Sequence, residues 1–255
     1  IDYRKYQDGL RAHWQAGNKN QQALFEAIFH AYALVKDQFD SKYCVEKTPF
    51  NERYLNRAAQ MWPDLRAIYI ARDPRDNYCS YRKQRERQVA ASDGKDGLSL
   101  LSKEEFIAYW LDSLLSWERF RARHKKQVLM LRYEDLVQKP DEELKHLCDF
   151  LGIDWDRKLL IPTRNNHPWS GNSIYGTQHE GISTSSVGRY RERLSEDEIV
   201  YLERWLRKMM RRYGWTMDFE QSSPKKLFWE IFSNRSIKPF IKAKLVLNWI
   251  RYQLT

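Results

Sequence analysis

The sequence predicts an α/β fold, a parallel sheet flanked by helices. Three observations carry that expectation. Short apolar runs, Ala67–Ala71 and Val128-Leu129-Met130-Leu131, alternate with stretches of helical length and period, the pattern of parallel strands joined by crossover helices. The first run passes directly into Arg72-Asp73-Pro74-Arg75-Asp76 and a helix-compatible stretch, giving strand, tight turn and helix in succession. The 255 residues, 42% hydrophobic with 10 Trp, suffice for a sizeable core: one domain with an appendage.

In chain order, a polar, aromatic opening stretch leads to a helix over residues 20–39, with Leu24, Phe25, Ile28, Phe29, Tyr32 and Val35 on one apolar face. Tyr43-Cys44-Val45 reads as a short strand ending at Glu46-Lys47-Thr48-Pro49. Residues 51–62 read as a helix stopped by Pro63. Residues 66–71 read as a buried strand and 74–88 as a helix, with Asp73 as N-cap and Pro74 at the first helical position. Residues 91–102, with Gly94, Gly97 and several serines, read as a connector. A long helix follows over 103–124, then a third strand at 128–131 and a helix over 140–151 closed by Gly152. Residues 162–193 are polar and loop-rich. Ser195-Glu196-Asp197-Glu198 is a capping box that opens a helix to about Tyr213, with Gly214 beyond its end. No internal repeat is visible.

The net charge of +10 points to an anionic partner: a nucleotide, a nucleic acid, a sulfated or phosphorylated substrate, or a membrane surface. Composition does not choose among them. Cys44, Cys79 and Cys148 are odd in number and far apart, which suggests neither a disulfide framework nor a zinc site and fits a reducing compartment. The six His show no paired metal-ligand spacing. No stretch approaches the roughly 18 apolar residues of a transmembrane helix, and no signal peptide is visible at Ile1. The sequence does not begin with Met. From Pro224 to Thr255 it carries seven Lys or Arg against one Glu, interleaved with Trp229, Phe232, Phe240, Leu245, Leu247, Trp249 and Ile250. That segment is the candidate for peripheral membrane contact, against the alternative of a helical arm packed on the domain or on a second subunit.

Chemistry concentrates at the end of the 66–71 strand. Arg72 leaves the strand and Ser80 lies two turns into the next helix. Strand ends of this kind bind ligands in open α/β sheets, and a helix amino terminus there favours an anion. A guanidinium grips a phosphate with two parallel bonds, and a hydroxyl adds a neutral donor.

Four segments then line up: Glu46-Lys47-Thr48-Pro49; Arg72-Asp73-Pro74-Arg75-Asp76 leading to Ser80; Tyr133-Glu134-Asp135-Leu136 with Phe150-Leu151-Gly152; and Gly188-Arg189-Tyr190-Arg191 just before the last capped helix. In this order and spacing they resemble the sulfotransferases that use 3′-phosphoadenosine 5′-phosphosulfate (PAPS), closer in style to the bacterial, Golgi and protein-tyrosine members than to the soluble phenol and steroid ones. The likeness runs from about Val45 to Trp215. It implies a P-loop NTPase-like sulfotransferase fold over residues 1–219, with 220–255 as a basic amphipathic extension. It also implies transfer of a sulfuryl group from PAPS to a hydroxyl or amine, with adenosine 3′,5′-bisphosphate as the other product and no metal.

Under that resemblance Arg72 and Ser80 match the 3′-phosphate site, and Tyr133 a residue at or beside the adenine. Lys47 matches a lysine near the transferring sulfuryl group, where a compact mobile cation offsets charge building on the leaving oxygen. Asn172-Ser173 is placed like a serine that stabilises the transition state. Ser183, Ser185 and Ser186 are candidate donors to the 3′-phosphate, and Arg189 adds charge. Glu46 is read as orienting Lys47, and Glu134 and Asp135 as structural; His167 and His179 are loop residues near the acceptor.

One family feature is missing. The glycine-rich loop that holds the 5′-phosphosulfate is not found: no Gly-x4-Gly-Lys-Ser/Thr pattern occurs, and Gly171 to Gly176-Thr177 has the spacing without the lysine. The expectation is a fold that is N-terminally incomplete, without its first strand and that loop, and no general base is assigned. The competing readings are a non-catalytic basic module binding nucleic acid or anionic membrane, and another nucleotide-dependent P-loop-like transferase such as a small-molecule kinase. For the sulfotransferase reading the acceptor is a small molecule, glycan or peptide, and no nucleic-acid partner is expected. A bacterial cytoplasm suits the free cysteines, and a Golgi lumen would need an upstream anchor.

Overall fold

The computed structural model describes residues 2–17, 19–37, 41–92, 100–164, 167–171, 173–219 and 237–254. They form two compact units, Ile1–Pro63 and Asp64–Thr255.

The first unit is helical. Helix α1 (Tyr3–Ala16) starts at Asp2, whose carboxylate accepts the N–H groups of Arg4 and Lys5. Sequence reasoning passed over α1, although an N-cap at Asp2 and apolar spacing at Tyr6, Leu10 and Trp14 were there to be read. Helix α2 (Gln21–Lys36) is capped by Asn20 and packs on α1. Its buried face is not the one expected. Ala23, Ala27 and Ala31 face inward, while Leu24, Phe25, Ile28 and Tyr32 are exposed. The reason is the closeness of the two helices: a Cβ on Gly9 of α1 would lie 2.7 Å from Leu34 Cδ2 and 3.5 Å from the Ala31 Cα. Small side chains set that spacing, and bulky ones at the contact would force the helices apart.

The expected strand at Tyr43-Cys44-Val45 does not form. Among the described residues the segment has no ladder partner, and Val45 is 85% exposed. A lone extended segment leaves its N–H and C=O groups to water, so apolar composition alone does not make a strand. A 3₁₀ turn (Asn51–Arg53) and helix α3 (Leu55–Met61) occupy the stretch expected to be helical.

The second unit opens with β1 (Ala67–Ala71), which pairs in parallel with β2 (Val128–Arg132) in the register Ala67↔Val128 to Ala71↔Arg132. Between them run α4 (Pro74–Ala91) and α5 (Lys103–Arg123). Tyr69 of β1 stacks on Trp117 of α5, which covers that face of the pair. β1 is less buried than its unbroken apolar run predicts: Ile68 and Ile70 are 39% and 55% exposed, because among the described residues β1 has β2 as its single strand neighbour. After β2 come α6 (Tyr133–Gln138) and α7 (Pro140–Leu151), the latter ending at Gly152 with φ +64°, a left-handed position that suits glycine. The loop-rich stretch contains a two-residue hairpin, β3 (Thr163–Arg164) and β4 (His167–Pro168), and a short α8 (Tyr190–Arg193). Helix α9 (Glu196–Arg212) carries the full capping box between Ser195 and Glu198. Helix α10 (Pro239–Gln253) packs along α5. The described part of the tail is thus packed on the domain through one side of α10; Trp229 and Phe232 lie outside the described residues. The core gathers around α5, with Ile107, Leu111, Leu114 and Phe120 buried against Leu202, Leu206 and Met209 of α9 and Leu245 of α10.

Candidate anion site at the end of the first strand

The parallel register builds the site. Ala71 pairs with Arg132, so the next residues, Arg72 and Tyr133, leave their strands side by side. The Arg72 guanidinium lies 4.7 Å from the centre of the Tyr133 ring, within cation–π range. Its Nη1 donates to Ser80 Oγ at 3.3 Å and its Nη2 to the Ser186 carbonyl at 2.7 Å. The Tyr133 hydroxyl and Ser186 Oγ are 2.8 Å apart. Arg72, Ser80, Tyr133 and Ser186, chosen from sequence, thus form one half-buried cluster. Arg72 belongs to no ion pair among the described residues, and its Nε is buried with no hydrogen-bond partner.

The three neighbouring charges, Asp73, Arg75 and Asp76, are held by other partners. Asp73 caps α4 by accepting the Arg75 N–H at 2.9 Å, so the helix end is closed by its own cap and the positive group facing the cluster is Arg72. Arg75 is fully buried and contacts Asp73, Glu203 and the Thr216 carbonyl, with its guanidinium 4.0 Å from the Tyr190 ring. Burial alone would lower its pKa, but the carboxylates, Asp73 first, hold it above the usual arginine value. Asp76 accepts the N–H of Gly188 at 2.7 Å and of Tyr190 at 2.8 Å. Burial raises its pKa, against the pull of those two bonds and of Arg72. This carboxylate fixes the loop that carries Ser186. Sequence reasoning gave Asp76 no role beyond its motif; nothing in the sequence marks a partner 112 residues away.

Glu134 and Asp135 are structural, as expected. Glu134 accepts the Asp73 N–H at 2.8 Å and the Trp215 indole N–H at 3.0 Å, joining both strand ends to the segment after α9. Asp135 pairs with Arg132 at 3.4 Å.

The other sequence candidates of the second unit make contacts of their own. Arg189 donates to the Ser185 carbonyl at 3.0 Å and stands 4.7 Å from the Tyr175 ring. Ser183 and Ser185 hydrogen-bond each other at 3.1 Å. Ser173 closes a tight turn: its hydroxyl accepts the Tyr175 N–H at 3.3 Å and its carbonyl the Gly176 N–H at 3.0 Å. Tyr175 sits between Arg189 and Arg193 and donates to the Cys79 carbonyl at 3.1 Å. Asn172 lies outside the described residues. His167, in β4, is exposed. Lys47 is exposed in the first unit. Glu46 does not orient it; its two oxygens take the Thr48 hydroxyl and the Asn51 amide, which ties down the turn after Pro49. Cys79 is buried, which pushes its thiol up to about 12 and removes it as a nucleophile.

Comparison with known proteins identifies the family and the fold. A model described as the sulfotransferase family matches residues 3–157. Carbohydrate sulfotransferase 1 of Rattus norvegicus is 26% identical over 120 residues, 46% of this chain and 29% of that protein. A protein-tyrosine sulfotransferase of Drosophila melanogaster is 23% identical over 169 residues, 59% of this chain and 32% of that protein. The chain thus spans just under a third of the length of these two relatives. Among solved structures, the sulfotransferase domain from the curacin biosynthetic pathway superposes with a TM-score of 0.53 at 18% identity, covering 82% of this chain and 80% of that one, a likeness of fold.

Proposed function

The chain belongs to the sulfotransferase family, and from that premise we propose that it transfers a sulfuryl group from PAPS to a hydroxyl or amine on a small-molecule, glycan or peptide acceptor. One observation carries the choice of donor. Arg72 is a half-buried guanidinium at a strand end, held by neutral oxygens and an aromatic face and by no carboxylate among the described residues. A positive charge left un-neutralised in a partly buried place fits an anion with several acceptor oxygens, such as a nucleoside 3′-phosphate.

PAPS, when bound, would supply the sulfuryl group, with adenosine 3′,5′-bisphosphate as the leaving group and the proton of the acceptor hydroxyl or amine released as the new bond forms. The chain's own residues do the rest. Arg72 and Ser80 hold the phosphate. Tyr133 keeps the guanidinium plane oriented through its ring and anchors Ser186 through its hydroxyl. Asp76 keeps the Ser186–Tyr190 segment against α4. Arg189 adds positive potential, Ser173 donates to charge developing on the leaving oxygen, and Lys47 serves as the compact cation on the transferring group.

Calorimetric titration with adenosine 3′,5′-bisphosphate tests the reading. The wild-type chain binds it and is stabilised by mass action, about 2.7 kcal/mol at a hundredfold excess over Kd. Arg72→Ala loses the binding while keeping its unfolding midpoint without nucleotide. Equal affinity in Arg72→Ala, or equally tight binding of adenosine 5′-monophosphate, would overturn it.

A further inference from the structure

Helix α10 is apolar on two opposite sides. Its inner stripe, Ile241, Leu245, Asn248 and Tyr252, is buried against α5, with Asn248 Nδ2 donating to the Ala108 carbonyl at 3.1 Å and Lys244 paired with Asp112 at 3.2 Å. Its outer stripe runs Phe240, Ala243, Leu247, Ile250 and Leu254, all exposed, with Phe240 at 66%, Leu247 at 52% and Leu254 at 83%. At 3.6 residues per turn these five positions fall within about 80° of the helix circumference. Every charged side chain from Lys238 to Leu254 is cationic: Lys238, Lys242, Lys244 and Arg251.

We propose that this outer stripe lies on an anionic lipid surface, with α10 parallel to the membrane plane. A soluble helix packed on its own domain normally turns its apolar side inward and its polar side to water. Here the side away from α5 is apolar and flanked by cations, the composition of helices that rest in the headgroup layer. Charge complementarity selects the occupant. The outer stripe also has the spacing of a helix–helix seam, but with Lys244 paired to Asp112 the other cations, Lys238, Lys242 and Arg251, would meet their own kind in a second copy with no carboxylate on either helix, whereas an anionic leaflet attracts them. None of the described helices is long and apolar enough to cross a membrane, and the proposal is one of surface docking. It is independent of the donor reading, since α10 contributes nothing to the Arg72 cluster.

Vesicle sedimentation of the full chain tests it. The wild type pellets with equimolar phosphatidylcholine and phosphatidylserine at low salt, at least tenfold more than with phosphatidylcholine alone. The double variant Leu247→Glu and Ile250→Glu falls to the phosphatidylcholine level with an unchanged melting midpoint, and Leu247→Trp raises the pelleted fraction. A wild type that stays in the supernatant overturns the proposal, as does a double variant that pellets like the wild type. A sedimentation-velocity dimer that the double variant dissociates, with no lipid binding, would reassign the stripe to a contact between copies.

Discussion

Asp76, in the first turn of α4, accepts the Gly188 N–H at 2.7 Å across 112 residues of sequence. The same carboxylate accepts the Tyr190 N–H at 2.8 Å. Two backbone donors on one buried acceptor hold the late loop where the Ser186 carbonyl meets Arg72. Asp76→Ala leaves both donors without a partner, which costs about 1–3 kcal/mol each if neither finds water. The loop then loses its fixed distance from Arg72. The expected result is a loss of nucleotide affinity of about tenfold or more together with a lower urea midpoint. Asp76→Asn, which keeps one acceptor oxygen, falls between. Unchanged affinity in Asp76→Ala would show that the loop does not depend on this clamp.

Arg72→Lys separates geometry from charge. Lysine keeps the positive charge but not the planar fork or the stacking on Tyr133. A charge-assisted hydrogen bond contributes about 1.5–3 kcal/mol, so affinity for adenosine 3′,5′-bisphosphate drops about 10- to 100-fold. Tyr133→Phe keeps the ring and loses only the bond to Ser186, worth about 0.5–1.5 kcal/mol. Titration calorimetry on both variants gives the order wild type, Tyr133→Phe, Arg72→Lys. The reverse order of the two variants would mean that the hydroxyl, not the fork, governs binding.

Arg75, three residues on, is expected to behave in the opposite way. It is buried among Asp73, Glu203 and Tyr190, and its guanidinium is fully engaged. Removing it strands two buried carboxylates, which costs about 3–5 kcal/mol. Arg72→Ala, by contrast, breaks bonds to neutral oxygens at a half-buried place. Urea unfolding should therefore rank Arg75→Ala far below Arg72→Ala, while nucleotide binding in the folded fraction ranks them in reverse. Equal destabilisation would mean that Arg72 is as structural as its neighbour.

What sequence could reveal of this depended on how local the cause was. β1, α4, β2, α7 and the capping box of α9 were legible because their signals are contained within a few residues: an apolar run, Asp73 before Pro74, Gly152 after a periodic stretch. Arg72, Ser80 and Tyr133 stood out together through the order of four short motifs, and Ser186 through the serines of the loop before the last capped helix. The inward face of α2 was not, because it is set by Gly9 on another helix, and hydrophobic periodicity favours bulky residues over the alanines that allow close approach. The failed strand at Tyr43–Val45 is a similar case, since strand formation needs a partner that composition cannot supply. The clamp by Asp76 and the outward stripe of α10 are long-range facts of the same kind.

Lys47 gives a prediction read in turnover rather than in nucleotide affinity. Its proposed role is to offset charge on the transferring group, which differs between ground and transition states. Lys47→Ala should lower kcat by about 10²–10³, the scale of losing one stabilising donor, with little change in affinity for adenosine 3′,5′-bisphosphate. Being exposed, Lys47 should leave the unfolding midpoint unchanged. A loss of product affinity matching the loss of kcat would make it a phosphate ligand instead.

Acid sensitivity should trace to Asp218. Burial on its own pushes this carboxyl up, but hydrogen bonds from Arg191 and the Tyr190 hydroxyl, at 2.7 and 2.8 Å, bring its pKa below the usual 3.8. A group whose folded pKa is depressed contributes stability above its unfolded pKa and loses it as pH falls through the folded value. Asp76 has the opposite sign: its raised pKa gives a contribution present below 3.8 and lost as pH rises through the folded value. Asp218→Asn should therefore be less stable than wild type at neutral pH and converge with it below pH 3.8. Urea midpoints measured from neutral pH down through the carboxylate range report this directly. An acid limb as steep in Asp218→Asn as in the wild type would assign the acid sensitivity to other carboxylates.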